Sequence, residues 1–154
     1  MPITFYLSRT PGLKRQGLPA RRSFQQWVEM GLQHCDYAKP VELSLRLVDE
    51  KEGRLLNYQY RHKNYATNVL SFPADFPGGV EPALLGDIVL CAPVVEREAA
   101  KQKKLLKYHY AHLTIHGLLH LLGYDHQNAQ EAEEMEALEG SILADLNIPD
   151  PYTC

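Results

Sequence analysis

Val41, Leu43, Leu45 and Leu47 alternate with Glu42, Ser44 and Arg46, which is the period of a half-buried strand. Ile3 to Ser8 is a short β-branched and aromatic run that predicts an earlier strand. Asn68 to Phe72 predicts a third, stopped by Pro73. Gly86 to Cys91 predicts a fourth, so continuously apolar that both of its faces should be buried. Between the last two, Pro77, Gly78 and Gly79 mark an exposed loop. Arg9 to Arg22 carries five basic residues among Pro11, Gly12, Gly17 and Pro19, and also reads as a loop.

Helical spacing governs the rest. Ser23 and Gln26 match a capping box, after which Phe24, Trp27 and Val28 share one face. Past Cys91 the strand pattern stops. Pro93 suits a first helical turn, with Glu96 and Glu98 toward its positive end and four lysines from Lys101 to Lys107 crowding the far end. From Lys107 to Leu122 the chain is apolar on most faces, so this helix should be central and buried, closing at Gly123. Asn128 with Glu131 can cap a last helix whose inner stripe is Met135, Leu138, Ile142 and Leu146. Four strands with helices concentrated after them predict an α+β domain, a sheet layered against helices.

Composition narrows the class. At 154 residues, 45% hydrophobic and 23% charged, the chain fits one globular domain spanning 1–154. No apolar run approaches the length of a membrane span, and no secretory leader is visible at Met1 to Tyr6. Cys35, Cys91 and Cys154 are odd in number and lack C-x-x-C spacing, which disfavours disulfides and a thiolate site and predicts a cytoplasmic protein. The net charge of -3 hides an asymmetry: all 16 Lys and Arg lie at or before Lys107, whereas every Asp, Glu, Lys or Arg from Asn128 onward is acidic. A mildly basic body permits, without demanding, a polyanionic partner.

Five of the seven histidines fall between His109 and His126. His109, His112, His116 and His120 recur at three and four residues, so they share one side of the apolar helix. Buried imidazoles are costly unless their ring nitrogens are bonded, and a metal ion is the sharpest explanation. His116 and His120, at i and i+4, can grip one cation from two directions. A continued helix would rotate residue 126 by about 240° from residue 120. Gly123 permits a left-handed turn that swings His126 back over the same point. Three imidazoles suit Zn²⁺, with Ni²⁺ or Co²⁺ as substitutes, and zinc lowers the pKa of its water to about 7, so hydrolysis is the default chemistry. His112 reads as packed or supporting rather than ligating, and Asp125 could either orient an imidazole or simply form the turn.

The spacing H-x-x-x-H-x-x-G-x-x-H is that of the metzincin peptidases, which place Glu directly after the first His as base. Here that position is Gly117, so peptidase chemistry by that route is disfavoured and another group must assist.

The chain resembles the YbeY family of bacterial rRNA maturation factors, reported as single-strand endoribonucleases. The resemblance rests on Leu56-Asn57 with Tyr60-Arg61, on Thr67 to Pro73, on Leu85 to Val89, on His112 to His126 and on the acidic helix Glu131 to Leu143, covering roughly residues 41–148. It implies a small mixed sheet of four strands with the metal-binding helix at its centre, His116, His120 and His126 as zinc ligands, and Arg61 as the activity-determining cation facing the metal. It further implies maturation of the 3′ end of small-subunit rRNA and ribosome quality control, with ribosomal RNA, the small subunit and other assembly proteins as partners. A guanidinium near zinc can hold two oxygens of a phosphodiester, while Tyr58, Tyr60 and Tyr65 can stack bases or pack. The leading expectation is a monomeric, cytoplasmic, zinc-dependent endoribonuclease. The alternatives are a non-catalytic zinc-containing assembly factor and, behind it, a zinc peptidase.

Overall fold

The computed structural model describes residues 3–74 and 83–152, so the loop marked by Pro77, Gly78 and Gly79, and Cys154, lie outside the described residues. Four strands, β1 (Ile3–Arg9), β2 (Val41–Val48), β3 (Val69–Pro73) and β4 (Ala83–Cys91), form one mixed sheet in the order β1-β2-β4-β3. β1 and β4 run parallel to β2 on either side of it, and β3 closes the far edge antiparallel to β4. Five helices complete an α+β domain: α1 (Arg21–His34), α2 (Glu50–Arg61), α3 (Ala92–Lys101), α4 (Leu106–Leu121) and α5 (Ala129–Asp145).

The alternation in β2 places Val41, Leu43, Leu45 and Leu47 in the core and leaves Glu42, Ser44 and Arg46 half-buried on the other face. Phe24, Trp27 and Val28 bury the inner face of α1 against the same core. α4 lies on the sheet with Tyr110, Ile115, Leu118 and Leu119 fully buried. Each such side chain contributes about 1.5–3 kcal/mol of burial free energy, which fixes the helix that carries the histidines. A smaller cluster of Val48, Leu70, Val89, Cys91 and Val94 takes in Leu56 of α2.

Two local expectations are corrected, and one helix is added to them. α1 starts at Arg21 with Ala20 as its N-cap and no side-chain cap, so Ser23 sits inside the first turn and no capping box forms with Gln26. The first turn of α3 is free of acidic residues; Pro93 occupies it as expected, but Glu98 lies further on and is used for tertiary bonding. α2 is a helix that the hydrophobic pattern did not predict. Asp49 caps it by accepting from the Glu52 N–H at 2.8 Å. Gly53 and Asn57 are the residues it fully buries, too thin a stripe for apolar periodicity to reveal. Asn128 does cap α5, accepting from the Glu131 N–H at 2.9 Å. None of the described helices is long and apolar enough to cross a membrane.

Candidate metal centre

The centre grows from one stripe of α4. His112, His116 and His120 recur every four residues, and each is only partly buried where most of the helix is enclosed. The helix ends in a Schellman motif: the Tyr124 N–H bonds the Leu119 carbonyl at 3.0 Å and the Gly123 N–H bonds the His120 carbonyl at 3.1 Å. Gly123 carries the reversal at φ +102°, a conformation that L side chains rarely adopt. The chain then turns back. The ring of His126 comes to rest with its centroid 5.8 Å from that of His116 and 5.0 Å from that of His120.

One ring nitrogen from each of His116, His120 and His126 falls in a group whose members all lie within 4.8 Å of one another. The Nε2 atoms of His116 and His120 are 3.2 Å apart. Two nitrogens bound at about 2.0–2.1 Å to a tetrahedral ion would stand roughly 3.3 Å apart, so this donor set fits such an ion. Burial, with the neighbouring His116 and His126, pushes the pKa of His120 below its ordinary value, which keeps its lone pair free at neutral pH.

Behind His116 stands a residue that the sequence did not single out. Glu139 of α5 is completely buried, and its Oε2 lies 3.1 Å from His116 Nδ1. Its Oε1 accepts from Tyr152 Oη at 2.7 Å and lies 2.7 Å from His112 Nε2. Burial alone would raise the Glu139 pKa, but hydrogen bonds from His112, His116 and Tyr152 win and bring it down to about 2. An ionised carboxylate only accepts, so His116 donates through Nδ1 and turns a bare Nε2 toward His120. His112 therefore supports the cluster from behind. The available sequence signal was a Glu on the apolar stripe of α5, between Met135 and Ile142.

Asp125 resolves in favour of the turn, since its Oδ1 accepts from the His126 backbone N–H at 2.7 Å. His109 lies deeper, with Nε2 2.9 Å from Glu98 Oε1. The same carboxylate accepts from Asn68 Nδ2 at 3.0 Å, tying α3, α4 and the start of β3 together.

Arg61 shares a cleft with the three imidazoles. It and Tyr60 line this space of about 740 Å³ together with His116, His120 and His126. Arg61 is the last residue of α2, because His62 takes a left-handed conformation at φ 59° and ends the helix. The buried Asn57 donates through Nδ2 to the Tyr65 carbonyl at 2.7 Å and holds the following loop against the helix. Arg61 is exposed, and its side chain forms no hydrogen bond or ion pair with another described residue. Of the three tyrosines able to stack or pack, Tyr60 lines the cleft with its ring centroid 4.9 Å from that of Phe72, while exposed Tyr58 and Tyr65 stand outside the lining.

Gly117, the position where metzincins carry their base, faces the sheet. A Cβ there would stand 3.1 Å from both Ile88 Cγ2 and Ser71 Oγ, and Ser71 Oγ donates to the Gly117 carbonyl at 3.2 Å. The helix is pressed against β3 and β4 at the point where the cleft opens.

An α+β scaffold that gathers imidazole donors around an open cleft defines a metal-dependent hydrolase. Comparison with known proteins identifies which kind: the family described as Endoribonuclease YbeY matches residues 14–147, and the chain belongs to that family. Proteins named Endoribonuclease YbeY from Xylella fastidiosa and Xanthomonas euvesicatoria pv. vesicatoria are 56% and 55% identical to it over 155 residues, covering 98% of this chain and 95% of each of theirs. The solution structure of TM1509 from Thermotoga maritima shares the fold at TM-score 0.57 and 23% identity, over 98% of this chain and 100% of that one.

Proposed function

We propose that the chain is a zinc-dependent endoribonuclease that cuts single-stranded RNA, acting in 3′ end maturation of small-subunit ribosomal RNA and in ribosome quality control. His116, His120 and His126 hold the metal, Arg61 is the catalytic cation, and residues 1–154 work as one cytoplasmic metallohydrolase domain with the small ribosomal subunit as partner. The observation that carries this reading is the juxtaposition in one cleft of three convergent imidazoles and an arginine with no carboxylate partner among the described residues. The relatives' name, Endoribonuclease YbeY, supports the endoribonuclease part of the reading.

Three neutral nitrogen donors leave the positive charge of a bound divalent ion uncancelled, which suits an anionic substrate. When bound, zinc supplies a Lewis acid and a nucleophilic water at neutral pH. The protein's own groups do the rest. Arg61, free of competing carboxylates among the described residues, takes two phosphoryl oxygens through its planar fork and steadies charge as it builds there. Glu139 keeps the proton of His116 on Nδ1, so that Nε2 remains a donor to the ion. Tyr60 offers an exposed ring, backed by Phe72, on which a base can stack. Unpaired bases can be splayed onto such a ring and duplex bases cannot, which favours single strands.

The test is metal analysis of the purified chain with mapped cleavage of small-subunit rRNA. His120→Ala should lose zinc and cleavage together. Arg61→Ala should retain zinc and lose cleavage by roughly 10²-fold or more; undiminished cleavage by that variant would remove Arg61 from the mechanism.

A further inference from the structure

We propose that the end of the molecule where β1 finishes carries a second RNA-backbone site, which holds phosphates of the same strand away from the metal cleft. This rests on the reading of the chain as an RNA-cutting enzyme.

The first 28 residues contain five basic side chains and no acid. Arg9, Arg15 and Arg21 line a cavity of about 370 Å³ between the end of β1 and the start of α1. Two of these guanidiniums are held in place without being neutralised. Arg9 Nη1 donates to the Leu13 carbonyl at 3.2 Å. Arg21 donates to the Phe5 carbonyl and lies 5.6 Å from the centroid of the Phe5 ring. A carbonyl fixes a guanidinium but leaves its charge intact, and the planar fork keeps further N–H groups for a phosphate. Two arginines elsewhere are neutralised: Arg46 pairs with Glu52 and Arg97 with Glu50.

The fold enlarges the patch. A Cβ on Gly17 would stand 3.4 Å from Leu106 Cδ2, so the basic loop lies against the start of α4. Leu106 follows directly on the segment holding Lys101, Lys103 and Lys104, with Lys107 after it. Two basic stretches far apart in sequence thus meet at one end of the domain. None of their nine cations forms an ion pair with another described residue. Such a concentration of like charge is unfavourable unless a polyanion relieves it. α1 sharpens this, for its first turn holds Arg21 and Arg22 and no acid, cations where the helix dipole favours anions.

Register relates the patch to the cleft. Arg9 pairs with Leu47, Leu47 with Leu90, and Leu90 with Val69, a cleft-lining residue. The patch and the β3 wall of the cleft are therefore on one row across the sheet, three strand spacings or roughly 14 Å apart. One extended strand of RNA can engage both, and recognition through phosphates alone places no demand on sequence.

The experiment measures binding of a fluorescent single-stranded RNA of about 20 nucleotides by anisotropy over a salt series. It compares wild type, Arg15→Gln and the double variant Arg9→Gln/Arg15→Gln, with thermal melting to establish folding. Arg15 is exposed, so its single variant keeps the test valid if the double variant is damaged. The slope of log K against log salt should flatten by about 0.7 for each phosphate that a variant no longer neutralises, and affinity should fall with it. A folded variant with the wild-type slope and affinity overturns the site. Loss of binding to phosphatidylserine vesicles with RNA binding intact also overturns it, by assigning the arginines to a lipid surface. Wild type that fails to bind RNA at any salt overturns the enzymatic reading as well, and that failure is visible before any variant is compared.

Discussion

His116 Nδ1 lies 3.1 Å from Oε2 of Glu139, a fully buried carboxylate carried by a different helix. The pairing makes α5 part of the metal centre even though α5 provides none of the three converging imidazoles. Glu139→Gln keeps the shape but replaces an acceptor-only group with an amide, so nothing obliges His116 to keep its proton on Nδ1. Metal affinity should fall roughly 10–100-fold while the domain stays folded. Competition for zinc against a chromophoric chelator reads this directly; an unchanged affinity would show that His116 orients itself.

Gly123 makes the same centre dependent on backbone conformation. Nothing lies within 4 Å of the place where its Cβ would be, so space does not require glycine there; the φ of +102° does. Gly123→Ala should therefore cost about 1–2 kcal/mol through strain alone. Because the reversal also aims His126, the variant should lose metal affinity out of proportion to its stability. Thermal melting and zinc titration on one sample separate the two effects.

Buried His109 gives the stability a pH dependence whose sign follows from its surroundings. Desolvation pushes its pKa below the ordinary 6.5, only partly opposed by Glu98. The unfolded chain then takes up a proton near pH 6.5 while the folded chain does not. Stability is accordingly full above that pH and falls as the pH drops through it, by at most about 1.4 kcal/mol per unit for this group. His109→Asn keeps a donor for Glu98 and does not titrate. Urea midpoints of the metal-free protein between about pH 7.5 and 5.5 should decline less steeply for the variant than for wild type.

The histidines also mark what a linear sequence reveals. Convergence of His116, His120 and His126 is legible because helical spacing and a glycine break are local properties that need no knowledge of the rest of the fold. β2 and α4 are legible for the same reason: each buries a face, or nearly all of itself, in a strict period. α2 is not. It is held by a cap and by the amide of Asn57, and polar anchoring leaves no apolar rhythm. Glu139 is hidden among other acids in an acidic helix, and only the packing of α5 beside α4 separates it from its solvated neighbours. The strand order is unreadable because β2 pairs with β4, a strand far along the chain with a helix and another strand between them.

Gly117 bears on the rival chemistry. In metzincins the residue after the first His is the catalytic Glu, so Gly117→Glu would restore that pattern in sequence. The fold does not accept it. Even Gly117→Ala places a Cβ 3.1 Å from Ile88 and Ser71, and overpacking of about 1–3 kcal/mol should exceed the roughly 1 kcal/mol gained in helix propensity. The larger side chain adds a carboxylate directed at the sheet, where burial without a partner costs several kcal/mol more. Gly117→Ala should melt below wild type and Gly117→Glu should fail to fold cooperatively, with no digestion of casein by either. A Gly117→Glu protein that melts like wild type and cleaves casein would mean that α4 can rotate away from β3 and β4, and that the bond from Ser71 to the Gly117 carbonyl does not hold the cleft in shape.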